Sequence, residues 1–115
     1  MEDYFFYIVQ PFERVGFGIA ENIKDRNHKY SSHSGKIVNF PYVYGGHRPH
    51  AKALERTIKR EFVDNLWIVE DWKTEWLNED VTSDTLKEYV DRLILERHYK
   101  LKLVMSNYNF TKQIS

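Results

Sequence analysis

The chain has 115 residues, enough for one domain with its own core. Its 16% aromatic and 30% charged content excludes a disordered chain and marks a folded, soluble one. With 17 Lys+Arg, 17 Asp+Glu and no cysteine, it excludes a molecule-wide basic pull toward nucleic acid, disulfides, thiol catalysis and cysteine-ligated zinc.

The opening Met-Glu-Asp is acidic and precedes a short apolar run. A signal peptide wants positive charge first and a longer apolar core, and no stretch approaches a membrane span. A cytoplasmic protein without a membrane partner is expected. Residues Tyr4 to Val9 are aromatic and β-branched and predict a buried strand, which Pro11 ends. Val15 to Ile19 predicts a second strand, and the short connection between them an antiparallel hairpin. The stretch then turns polar, with Ile23 alone apolar, and predicts a helix from Glu21 to about Tyr30. Ser31 to Gly35 reads as a loop, small and polar throughout.

Lys36 to Tyr44 predicts a third strand, closed by Gly45-Gly46, with Pro41 arguing for an edge position or a bulge. Pro49 suits the start of a helix in which Ala51, Leu54, Ile58 and Phe62 recur on one face. Leu66 to Val69 and Trp72 to Leu77 read as short extended pieces. Asn78 to Ser83 is a polar connection supplying an N-cap from Thr82 or Ser83. A last helix is expected from about Asp84 to Tyr99, with Leu86, Val90, Leu93 and Ile94 inward and Glu88–Arg92 as an i,i+4 pair. Leu101 to Met105 is one more candidate strand. The whole predicts a single α+β domain, 1–115, whose small, mostly antiparallel central sheet is flanked by helices, with residues 79–115 a C-terminal helical extension.

Within Arg14 to Tyr30, Gly16 and Gly18 permit backbone conformations or close approaches that other residues resist. Arg26 lies two helical turns past them and Tyr30 at the next same-face position. A guanidinium and a phenol on one helix face, beside a glycine-bearing strand, can handle a phosphate. A solvated Arg and a packed Tyr are the plainer alternative.

The order of these pieces resembles the GIY-YIG endonuclease superfamily. Phe5-Phe6-Tyr7 stands where that superfamily has Gly-Ile-Tyr, and Gly16-Phe17-Gly18 where it has Tyr-Ile-Gly. Arg26 has the spacing of its arginine, Tyr30 that of a later His or Tyr, and Glu55 in Ala53-Leu54-Glu55 that of its metal-binding glutamate. Glu75-Trp76-Leu77 stands where a phage and bacterial branch has Glu-Trp-Phe. The resemblance covers residues 4–78. Gly16 departs from it, replacing a tyrosine or lysine that can contact the nucleophile or a phosphate.

The resemblance implies a small DNA endonuclease. Tyr7 or Tyr30 would orient or deprotonate the water, and Arg26 would hold the scissile phosphate. Glu55 would bind one Mg²⁺ or Mn²⁺, and products would carry a 5′-phosphate. A free tyrosine titrates at about 10 and would need a neighbouring cation to act as a base. One motif copy makes one nick, so duplex cleavage takes a homodimer or sequential events by a monomer. Because Gly16 has no side chain, the alternative is a catalytically impaired module that binds DNA or a protein partner without cleavage. A third reading is an interaction protein of unrelated α+β fold.

Each residue also has a structural reading: Tyr7 as core with a bonded hydroxyl, Glu55 as a salt-bridge partner, Asn78 as a loop residue rather than the superfamily's late asparagine. Lys24, Arg26, His28 and Lys29 with His47, Arg48 and Lys52 could form a local basic strip that contacts DNA phosphates. His28, His33, His47, His50 and His98 show no zinc spacing.

Overall fold

Every residue from Tyr4 to Val9 is aromatic or β-branched, and the strand they form, β1 (Tyr4–Gln10), carries packing on both of its faces. The computed structural model describes residues 4–10, 14–34, 38–71 and 74–108, without the side chains of 30–34, 67–71 and 74. The remaining elements are β2 (Gly16–Ala20), α1 (Ile23–Ser34), β3 (Asn39–Gly46), α2 (Arg48–Glu61), β4 (Leu66–Asp71), β5 (Thr74–Leu77), α3 (Ser83–Arg97) and β6 (Leu101–Tyr108). The strands make one six-stranded sheet in the order β4-β5-β2-β1-β3-β6, antiparallel at every pairing. This is the expected α+β architecture.

Strand alternation divides the core in two. Phe6 and Ile8 point to the face covered by α2 and α3, where Phe17, Leu54, Ile58, Leu86 and Val90 join them. Tyr7 and Val9 point the other way, into a cluster with Ile23, Phe40, Val43 and Trp76. Phe6, Ile8, Leu54 and Ile58 are fully buried, each contributing about 1.5–3 kcal/mol relative to exposure. On β2, Gly16 lies between Val9 and Trp76 and Gly18 between Tyr7 and Thr74, in extended backbone.

Several boundaries differ from those the sequence predicts. The first helix starts at Ile23 because the Asn22 side chain caps it, accepting from the Asp25 N–H at 3.1 Å. It continues through the serines to Ser34, so the loop expected at Ser31–Gly35 is largely helix; Gly35, Lys36 and Ile37 lie outside the described residues. β3 keeps Gly45 and Gly46 within the strand, and Pro41 sits in a bulge. There β1 advances from Ile8 to Gln10 while β3 goes from Tyr42 to Asn39, one residue more. β3 lies between β1 and β6, so the bulge, not an edge position, accommodates the proline. In the second extended piece, Trp72 and Lys73 lie outside the described residues.

The second helix keeps its stripe, with Ala51, Leu54, Thr57 and Ile58 buried. α3 begins after Thr82, whose hydroxyl accepts the Thr85 N–H at 3.1 Å. It stops short of Tyr99 because His98 takes a left-handed conformation, φ 55°. Its ion pair joins Lys87 to Asp91, and the Arg92 guanidinium lies over the Tyr89 ring at 4.8 Å. Residues 101–108 extend the sheet as a longer strand than Leu101–Met105. Among the described residues no helix is long and apolar enough to cross a membrane.

Candidate functional site

Ile23 and Asn27, one turn apart on α1, are turned into the molecule. Arg26 therefore sits on the flank of the buried stripe, half-buried, at the point where β2 hands over to α1. Its Nη1 donates to the Tyr7 hydroxyl at 3.1 Å, and its guanidinium carbon is 5.7 Å from the Tyr7 ring centroid. Tyr7 is fully buried. The phenol thus holds one terminal nitrogen of the guanidinium.

On α2, Glu55 and Lys59 occupy successive turns of one face. Lys59 Nζ is 2.8 Å from Glu75 Oε1; the lysine side chain is 39% exposed and the glutamate 3%. Glu75 lies on β5 opposite Phe17. Its second oxygen, Oε2, is buried without a hydrogen-bond partner. A buried carboxylate costs several kcal/mol of lost hydration, roughly, unless a partner compensates, and here Lys59 compensates one oxygen of two.

These groups meet at one cleft of about 550 Å³, open to solvent between the end of β2, α1 and α2. Arg26, Lys29, Arg48 and Lys59 line it with Glu21, Asp25, Glu55 and Glu75, four cations against four carboxylates. Arg48 lies over the Tyr4 ring at 4.9 Å and faces Glu21 at 3.8 Å. Arg26 and Glu55, from different helices, therefore border the same space. Tyr7 does not line it. Tyr30 follows Arg26 by one turn of α1, and its side chain lies outside the described residues.

Of the expected basic strip, Arg26, Lys29 and Arg48 reach the cleft, whereas Lys24, His28, His47 and Lys52 do not line it. Lys24 and His28 are exposed on α1. His47 and His50 stack edge-on at 4.6 Å where α2 begins. The His50 Nδ1 accepts the Lys100 N–H at 2.8 Å, and the His47 N–H donates to the Lys100 carbonyl at 2.9 Å. Burial, then His47 and Lys100, lower the His50 pKa. The pair ties the entry of α2 to Lys100, the residue before β6. His33 lies outside the described side chains, and His98 ends α3. Asn78 accepts the Asp80 N–H and donates to the Asn65 carbonyl, a turn residue. Among the described residues no group of three His, Cys, Asp or Glu is placed to hold a metal by itself.

Lys59 and Glu75 are not among the expected site residues; Glu75 enters only as part of the Glu75-Trp76-Leu77 piece. Glu75 shares strand parity with fully buried Leu77, which marks an inward carboxylate.

The model of the T5orf172 domain matches residues 4–94. No curated protein and no solved structure matches the chain. The family match corrects the assignment to the GIY-YIG endonuclease superfamily, since the family is a different one. The short pieces that carried that resemblance have packing roles here: Tyr7 is core beneath Arg26, and Gly16 and Gly18 are ordinary strand residues between larger neighbours. Because the match takes in β1 to β5, α1, α2 and most of α3, the chain belongs to the T5orf172 domain family.

Proposed function

We propose that the cleft takes a DNA backbone and hydrolyses a phosphodiester bond with the help of one Mg²⁺ or Mn²⁺ ion. The observation that carries this reading is convergence. A guanidinium fixed on α1 and a carboxylate on α2 line one open, polar cleft. Arg26 would hold the scissile phosphate and stabilise the charge that grows on it in the transition state. The buried Tyr7 serves it as an anchor, so less guanidinium freedom is lost when the phosphate arrives. Tyr30, which the sequence offers for water positioning, follows one turn along α1, and its side chain lies outside the described residues.

The donor set suits the ion. Glu55 lines the cleft with a carboxylate, and Mg²⁺ is commonly held by one or two carboxylates, water and substrate phosphates. Glu55 would hold it, and the ion when bound would supply charge neutralisation and a more acidic water. Water oxygen bonds to phosphorus, the P–O3′ bond breaks, and a 5′-phosphate and a 3′-hydroxyl result.

A second reading, binding without cleavage to DNA or a protein, is favoured by the full burial of Tyr7 and by the equal numbers of cations and carboxylates around the cleft. Supercoiled plasmid with Mg²⁺ or Mn²⁺ separates the two. The nuclease reading predicts nicking that falls about a hundredfold or more in both Arg26→Ala and Glu55→Ala. Salt-sensitive DNA retention without nicking would favour the binding module, and neither nicking nor retention would defeat the DNA reading.

A further inference from the structure

We propose that Lys59 is a second phosphate-binding cation of the cleft, and that Glu75 is the positioning residue that holds it there. The assignment rests on reading the cleft as a DNA site. Glu75 occupies a place that packing alone would give to a hydrophobe: it shares strand parity with fully buried Leu77 and lies opposite fully buried Phe17. A well-packed apolar side chain there would serve the fold as well or better. What the carboxylate adds is a fixed anchor for one ammonium. Its Oε1 meets Lys59 Nζ at 2.8 Å, while Oε2 has no hydrogen-bond partner. The lysine is not buried with it: its side chain is 39% exposed and lines the cleft.

The arrangement repeats what Tyr7 does for Arg26. On each helix a buried group grips a cation, the phenol from β1 for the guanidinium on α1 and the carboxylate from β5 for the ammonium on α2. Two cations on different helices of one cleft suit the anionic oxygens of a phosphodiester backbone.

The test uses Lys59→Ala, Lys59→Arg, Glu75→Gln and Arg26→Ala, with a short DNA duplex. The dependence of affinity on salt is measured by anisotropy. Lys59→Ala is expected to lower the slope of log K against log salt by about 0.9, one phosphate contact, and Lys59→Arg to restore it. Glu75→Gln removes a negative charge, so its affinity should hold or rise, while Mg²⁺-dependent nicking falls about tenfold. An unchanged slope in Lys59→Ala overturns the assignment of Lys59. Unchanged nicking in Glu75→Gln overturns the positioning role. If Arg26→Ala lowers the slope and Lys59→Ala does not, the Lys59 assignment alone falls; if neither does, the DNA reading falls with it. Should Glu75→Gln fail to fold, Glu75→Leu replaces it, with the same loss of nicking expected and the same contradiction from its absence.

Discussion

At the scale of single residues, the backbone and side-chain environments make claims that stability measurements can check. Gly46 has φ +155°, and a Cβ there would stand 2.1 Å from the Lys100 carbonyl oxygen, a backbone atom that cannot swing aside. Gly46→Ala should destabilise the fold by about 3 kcal/mol or more in urea titration, and a change under about 1 kcal/mol would contradict this geometry. His50 accepts the Lys100 N–H through Nδ1, which requires an unprotonated nitrogen. Its folded pKa lies below the ordinary value of 6.5. The unfolded chain therefore takes up the proton first as the pH falls, and the folded state loses ground. The contribution is complete above the unfolded pKa and declines from there down to the folded one. Between pH 8 and pH 5, roughly bracketing that window, melting temperature should drop further in the native chain than in His50→Asn, which keeps an acceptor and does not titrate. Equal drops would remove His50 from the pH response.

Among the elements, α3 owes its attachment to polar contacts as well as to its apolar stripe. The Tyr44 hydroxyl donates to Asp91 at 2.6 Å, and the Tyr42 hydroxyl donates to Asp84 at 2.7 Å. Burial first, and then the Asp91 bond, push the Tyr44 pKa well above the phenol range. Tyr44→Phe should cost about 1–2 kcal/mol, because Asp91 keeps Lys87 when the phenol is lost. Denaturant midpoints of the two proteins measure it, and an unchanged midpoint would make the bond energetically idle. The hairpin, α2 and α3 were legible in the sequence because their patterns are strong: six β-forming residues in a row from Tyr4, and apolar residues at helical spacing from Ala51 and Leu86. α1 was legible only in part. Ile23 and Asn27 are its buried contacts among the described side chains, so little periodicity marks where it ends. The sixth strand was half seen, since Lys102, Leu103 and Val104 are all exposed and give no alternation.

Across the whole molecule, charge is arranged rather than accumulated. The chain carries 17 basic and 17 acidic residues, and the cleft likewise balances four cations with four carboxylates. Any hold on an anionic polymer then depends on which charges are fixed and which can turn aside, as with Arg26 on Tyr7 and Lys59 on Glu75. That Arg26 and Glu55 border one cleft was anticipated only through the resemblance to the GIY-YIG superfamily, which the family match corrects. That Tyr7 would lie beneath the arginine, and that Glu75 would be buried under a lysine, could not be anticipated, because both depend on which strands pair and in what register. The T5orf172 match assigns the family, and the proposed chemistry of the cleft is open to direct measurement. The most direct one follows backbone amide shifts by NMR as a short DNA duplex is added with Mg²⁺. The account predicts that the largest shifts fall on α1 around Arg26, on α2 from Glu55 to Lys59 and on Glu75. Shifts confined to another surface, such as β6, or no shifts at all, would contradict it.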